Sequence, residues 1–307
     1  MARRTRFLHA AAAVGLGLAS LGAATPAPTA PASGSSSARF DFHGDVPAFL
    51  RSLPDSLGNK AQLSAIVSAL ATAYPKEFQG LETGPGNRVM VRAAGGKFVF
   101  DDSLSKTFEE RLDHPDIEDM FHDLYPLTNP TDRLPRDFDP GRVRVEDFFL
   151  ALYGASESAV AANCVEVDFC GSSVKFNKRC GAADALRAVA VDLEKVFAQK
   201  PALRVYVQKL AGTFNWRKIA GTKRLSNHSF GTAIDLNLDK AAYWRWQKPE
   251  QLETFSRKDW PNEIVEAFER HGFIWGGKWW HFDTMHFEYR PEIIAYARDK
   301  GPTVAPR

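Results

Sequence analysis

An α+β fold follows from three features of the 307-residue sequence. Two runs alternate apolar and polar side chains, Thr232-Ala233-Ile234-Asp235-Leu236-Asn237-Leu238 and His286-Phe287-Glu288-Tyr289-Arg290. This is the period of a half-buried strand. Residues 182–197 set Leu186, Val189, Leu193 and Val196 on one helical stripe. Two more helices are expected, from Pro261 to Arg270 with Gly272 closing it and from Pro291 to Lys300, each opening on a proline whose missing N–H is no loss there. Strands before and after these helices give the α+β pattern, and a composition 44% hydrophobic and 25% charged provides for a core.

The chain begins with a stretch that reads as targeting. Residues 1–24 contain Arg3, Arg4 and Arg6 and no acid, then an alanine-rich apolar run from Ala10 to Leu21, then the small residues Gly22-Ala23-Ala24. That is a secretory signal peptide in outline, its apolar run short for a spanning helix. The mature protein is expected to be periplasmic or secreted, without a stable membrane span, and monomeric. Residues 25–39 are rich in Pro, Ala and Ser and read as a flexible linker. Loss of the three leader arginines takes the formal charge from +2 to −1. Such a chain has no global basic excess for nucleic acid.

Residues 40–160 read as a mainly helical N-terminal extension. Leu63, Ile66, Val67, Leu70 and Tyr74 recur at helical spacing and Pro75 stops the run. Arg88 to Phe100 predict a hairpin turning at Gly95-Gly96. Prolines at 115, 126, 130, 135 and 140 mark a long irregular stretch, in which His114 and His122 read as surface histidines. Phe148, Phe149 and Leu152 then suggest a helix ending near Gly154.

Residues 161–298 hold the rest. Val165, Val167 and Phe169 alternate as one strand and Val174 to Phe176 as its partner, with Gly171-Ser172 as the turn. That register pairs Phe169 with Val174 and puts Cys164 opposite Arg179, beside Cys180. A Cys164–Cys180 disulfide with Cys170 free is therefore expected in an oxidising compartment, provided the hairpin frays at that end.

The chemistry gathers in two segments. In Ser226-Asn227-His228-Ser229-Phe230-Gly231-Thr232-Ala233-Ile234-Asp235, Gly231 lets the chain fold back so that His228 faces the same point as Asp235. In the strand reading, Ile234, Leu236 and Leu238 share the core face and Asp235 the other, with small Ala233 leaving room beside it. In Asp283-Thr284-Met285-His286, a turn or bulge is needed to bring both acid and imidazole to one cavity. Two histidines and two carboxylates suffice for a catalytic zinc site, which needs three nitrogen or oxygen ligands and a nearby base.

The pattern S-x-H-x-x-G-x-A-x-D followed by D-x-x-H resembles the zinc D-alanyl-D-alanine carboxypeptidases of the VanY type and the related L-alanyl-D-glutamate endopeptidases. The likeness runs from Gly212-Thr213-Phe214-Asn215-Trp216-Arg217 through Phe273-Ile274-Trp275-Gly276-Gly277-Lys278-Trp279 to Phe287-Glu288-Tyr289. The resemblance implies a Hedgehog/DD-peptidase fold, a small antiparallel sheet with helices packed against it. It implies His228, Asp235 and His286 as zinc ligands and Asp283 as the acid that activates water. Arg217 matches the arginine that steadies the oxyanion or a substrate carboxylate. The implied substrates are peptidoglycan stem peptides. Dipeptidases of the same clan carry Glu-Trp-Trp-His. Here Lys278-Trp279-Trp280-His281 puts lysine in the acid's place, so His281 is expected to line the cleft and not to bind metal. The other reading is a non-catalytic, zinc-containing module that binds cell-wall peptides; retention of Asp283 and Arg217 favours the enzyme.

Overall fold

The structure, a computed structural model, describes residues 37–301 apart from positions 58, 131, 132 and 253. The signal-peptide reading of 1–24 and nearly all of the 25–39 linker lie outside the described residues. The architecture is α+β, with small antiparallel sheets and helices. No helix among the described residues is long and apolar enough to cross a membrane.

The N-terminal part opens with β1 (Arg39–Asp41), α1 (Val46–Ser52) and α2 (Lys60–Ala73). Asn59 caps α2 by accepting from the Gln62 N–H, and the predicted stripe Leu63, Ile66, Val67 and Leu70 is buried. β2 (Phe78–Thr83), β3 (Val89–Ala93) and β4 (Gly96–Val99) then join β1 in an antiparallel sheet ordered β1-β2-β3-β4. The sequence reading did not include β1 and β2. The predicted hairpin turns one residue early, at Ala94-Gly95, where φ is +50° and +81°. Gly96 serves another need: a Cβ there would stand 2.5 Å from the Phe98 ring. α3 (Phe108–Asp113) starts from a Thr107/Glu110 capping box. After the proline-rich stretch come α4 (Glu146–Tyr153) and α5 (Glu157–Asn163).

β5 (Cys164–Phe169) and β6 (Ser172–Asn177) form the expected hairpin in a different register. Phe169 pairs with Ser172, Val167 with Val174 and Cys164 with Asn177. The turn is Cys170-Gly171, both residues at positive φ, as a two-residue hairpin turn requires. The two-residue slip keeps the inward faces, so Val167, Phe169 and Phe176 are all buried. It undoes the expected disulfide: Cys164, Cys170 and Cys180 are free. Cys164 Sγ lies against Gly231, while Cys180, in the turn beyond β6, directs its thiol toward the Leu152 carbonyl.

The remaining elements are α6 (Ala182–Gln199), β7 (Leu210–Gly212), β8 (Ala233–Asn237), α7 (Pro249–Leu252), α8 (Asn262–Arg270), β9 (Phe273–Trp275), β10 (His286–Tyr289) and α9 (Pro291–Lys300). β7, β8, β10 and β9 form the second antiparallel sheet, in that order. α6 packs on α8 and β5, and α9 lies along α2. The Tyr74 hydroxyl, at the end of α2, donates to Glu292 of α9 at 2.7 Å. One apolar core runs from Phe49 to Ala297. The alternation in β8 and β10 does not divide core from solvent. Thr232, Asn237, Glu288 and Arg290 are buried, and Leu238, expected inside, is 49% exposed because β8 ends at Asn237.

Candidate metal centre

His228 lies in a short 3₁₀ turn, Asn227–Phe230, that Gly231 closes at φ +66°. A Cβ on Gly231 would stand 2.8 Å from Cys164 Sγ, so both conformation and space call for glycine. The His228 Nδ1–H donates to the Thr213 carbonyl at 2.6 Å, which leaves Nε2 facing Asp235 Oδ2 at 3.1 Å. Asp235 on β8 sits directly across the ladder from His286 on β10. His286 Nδ1 is 2.9 Å from Asp235 Oδ1. The ligand atoms of His228, Asp235 and His286 all lie within 4.8 Å of one another.

The rest of the ring is held from behind. His286 Nε2–H donates to Glu288 Oε2 at 3.0 Å, and Arg144 Nη1 reaches both Glu288 oxygens at 3.1 Å. Burial opposes charge on all these groups; it prevails on Arg144, whose pKa it lowers, while on Glu288, His286 and Asp235 the partners prevail. Arg144, His286 and Arg290 hold Glu288 down to about 2. Hydrogen bonds to Asp235 and Glu288 push His286 up to about 10, and the two imidazoles keep Asp235 well below the usual carboxylate range.

These residues fit a divalent metal. His228 Nε2 is buried without a hydrogen-bond partner and turned toward the Asp235 carboxylate. Each imidazole has its other nitrogen fixed, by Thr213 or by Glu288, which selects the tautomer that presents a lone pair inward. Two such nitrogens and one carboxylate, with space beside them, are a three-ligand set of the kind that binds zinc.

Asp283 lines the same cavity. The turn expected before His286 is present: His286 N–H donates to the Asp283 carbonyl at 3.2 Å, and Asp283 N–H to the Gly276 carbonyl at 3.0 Å. Asp283 Oδ1 is buried with no hydrogen-bond partner. Burial, with Asp235 adding to it, pushes the carboxyl up to about 6 against the pull of His286. Arg217 is exposed at the cavity wall, and its N–H donates to Ser229 Oγ at 2.9 Å, which ties it to the His228 turn.

His281 also lines this cavity but stands outside the triad. Its Nδ1 is 2.7 Å from Asp139 Oδ2, and its ring stacks on Phe108. Lys278 points elsewhere altogether, buried between Glu269 and the Pro126 carbonyl. Of the tryptophans at 216, 275, 279 and 280, Trp279 lines the cavity while Trp275 is core. The sequence reading missed the wall that comes from the extension, where Arg142 and Arg144 line the cavity and Asp139 holds His281. The alternation Arg142-Val143-Arg144-Val145-Glu146 was the one local sign of it.

Residues 220–289 match a family model described as D-alanyl-D-alanine carboxypeptidase, which bears out the resemblance read from the motifs. The matched stretch holds His228, Asp235, Asp283 and His286 and supports a peptidase of that type. No curated protein and no solved structure matches the chain.

Proposed function

We propose that the protein is a zinc-dependent peptidase, periplasmic or secreted, that hydrolyses peptide bonds in peptidoglycan stem peptides, of the D-Ala-D-Ala carboxypeptidase or L-Ala-D-Glu endopeptidase type. One observation carries the reading: Asp283 Oδ1, buried without a hydrogen-bond partner, shares a cavity with a three-residue cluster suited to a metal. His228, Asp235 and His286 would hold the zinc. Bound zinc supplies Lewis acidity, which lowers the pKa of a water and polarises a carbonyl. Asp283 takes the proton of the attacking water and returns it to the leaving amine, as its titration near 6 allows at neutral pH. Arg217 donates to the oxygen on which charge develops, or to a substrate carboxylate. Glu288 and Arg144 keep the His286 ring in place while charge shifts around it.

Purified muropeptides incubated with the zinc-loaded protein and weighed by mass spectrometry test the reading. Loss of one alanine identifies a carboxypeptidase, and loss of the L-alanine-linked end an endopeptidase. A fully zinc-loaded protein that cleaves none of them overturns it.

A further inference from the structure

A second cavity, of about 760 Å³, adjoins the candidate metal centre, and Arg142 and Arg144 line both. Its volume falls within the range of small-ligand sites. One wall is the 218–225 loop, which links Arg217 to His228 and is held as a small hairpin. Lys218 pairs with Leu225, Ile219 N–H donates to the Arg224 carbonyl at 2.9 Å, and Ser226 N–H donates to the Arg217 carbonyl at 2.9 Å. The other wall belongs to the extension, before and within which the family match does not reach.

The lining carries four cations, Arg142, Arg144, Lys223 and Arg224, against three carboxylates. One carboxylate, Glu146, is engaged by the Leu225 N–H at 2.7 Å. Another, Asp113, lies 3.3 Å from Arg224 Nε and is 56% exposed. Arg224 Nε itself is buried without a hydrogen bond, and Lys223 is exposed and makes no ion pair among the described residues. Donors are thus left over on the loop that leads into the metal centre. Arg142 and Arg144 already pair with Asp139 and Glu288, so Lys223 and Arg224 are the cations left to a ligand; that suits one carboxylate and not a polyanion such as a phosphate chain, which the three acids would repel.

We infer that this cavity is a subsite for a substrate residue bearing a free carboxylate, set apart from the scissile bond, with Lys223 and Arg224 as its recognition groups. The inference rests on the peptidase reading for what the substrate is.

The test uses two synthetic stem peptides that differ only in whether the side carboxylate of the stem's acidic residue is free or amidated. In both, a methylene-amine replaces the scissile amide, so calorimetry on the zinc-loaded full chain reads binding without hydrolysis. The free acid should bind about tenfold more tightly than the amide, the size of a charge-assisted hydrogen bond. Lys223→Gln and Arg224→Gln should each narrow that gap and together close it, with the affinity for the amide unchanged. Lys223 is exposed, so its replacement leaves the fold intact even if Arg224→Gln does not. Equal affinities for acid and amide, or a gap that survives both substitutions, overturn the subsite. Cleavage of the parent peptides, followed in parallel, separates the two readings. Preference without cleavage keeps the subsite and removes the peptidase; cleavage without preference does the reverse.

Discussion

Asp283→Asn changes one atom of a carboxylate that makes no hydrogen bond or ion pair to the cluster among the described residues, and its consequences for activity and for stability run in opposite directions. A general base of this kind contributes about 10²–10⁴ in rate. The asparagine protein, loaded with zinc, should therefore lose hydrolysis by about a hundredfold or more while its zinc content stays that of the wild type. The carboxyl titrates at about 6 where 3.8 is usual. Wild-type activity should then fall on the acid side through a limb centred at or below about pH 6, since a cation bound beside Asp283 favours its ionised form.

Stability of the metal-free protein follows the same shift with a definite sign. The folded carboxyl holds its proton to higher pH than the unfolded one, so folding is disfavoured as pH rises from 3.8 to about 6, and the full penalty persists above. It amounts to up to about 3 kcal/mol. Asparagine carries no such penalty, and its amide oxygen can keep the buried place of Oδ1. The metal-free variant should melt on the order of 5 °C higher than wild type at pH 7.5, and the difference should vanish below about pH 4. Calorimetric melting across pH 3.5–8 and a muropeptide assay at pH 7 measure the two effects. A variant that keeps a tenth or more of wild-type activity, or that melts lower at pH 7.5, would refute the reasoning.

His228→Ala, Asp235→Ala and His286→Ala should each lose most bound zinc by elemental analysis, because each removes one of three ligands, while His281→Ala should keep it. The opposite result for His281 and His286 would reassign the site. Glu288→Gln and Arg144→Met should weaken zinc affinity about 10- to 100-fold in competition with a chelator, since both act through the His286 ring; unchanged affinity would deny them that role. Gly276→Ala places a Cβ 2.6 Å from the Asp283 carbonyl. It should destabilise the fold by about 1–3 kcal/mol in denaturant unfolding and depress hydrolysis with zinc retained; a fully stable, fully active variant would show that the loop yields freely.

What the sequence made legible is local, and what it hid is long-range. The His228 turn and the β8 strand are adjacent in the chain, and one glycine and one alternation were enough to place His228 and Asp235 together. Asp283 and His286 are likewise joined by a single turn. The strand period, by contrast, says which face a residue takes and not what covers that face. Glu288 and Arg290 read as a polar surface, yet both are buried, because Arg144, 144 residues before Glu288, and the carbonyls of Gly141 and Val143 lie over them. The β5–β6 register went astray for a related reason. Gly171-Ser172 looked the better turn, but Cys170 takes a positive φ that few non-glycine residues adopt, so the turn falls one residue earlier and the register shifts by two. The first miss bears on function. It concealed that the extension supplies a wall of the candidate site through Arg142 and Arg144. Those arginines are also the shared edge of the larger cavity.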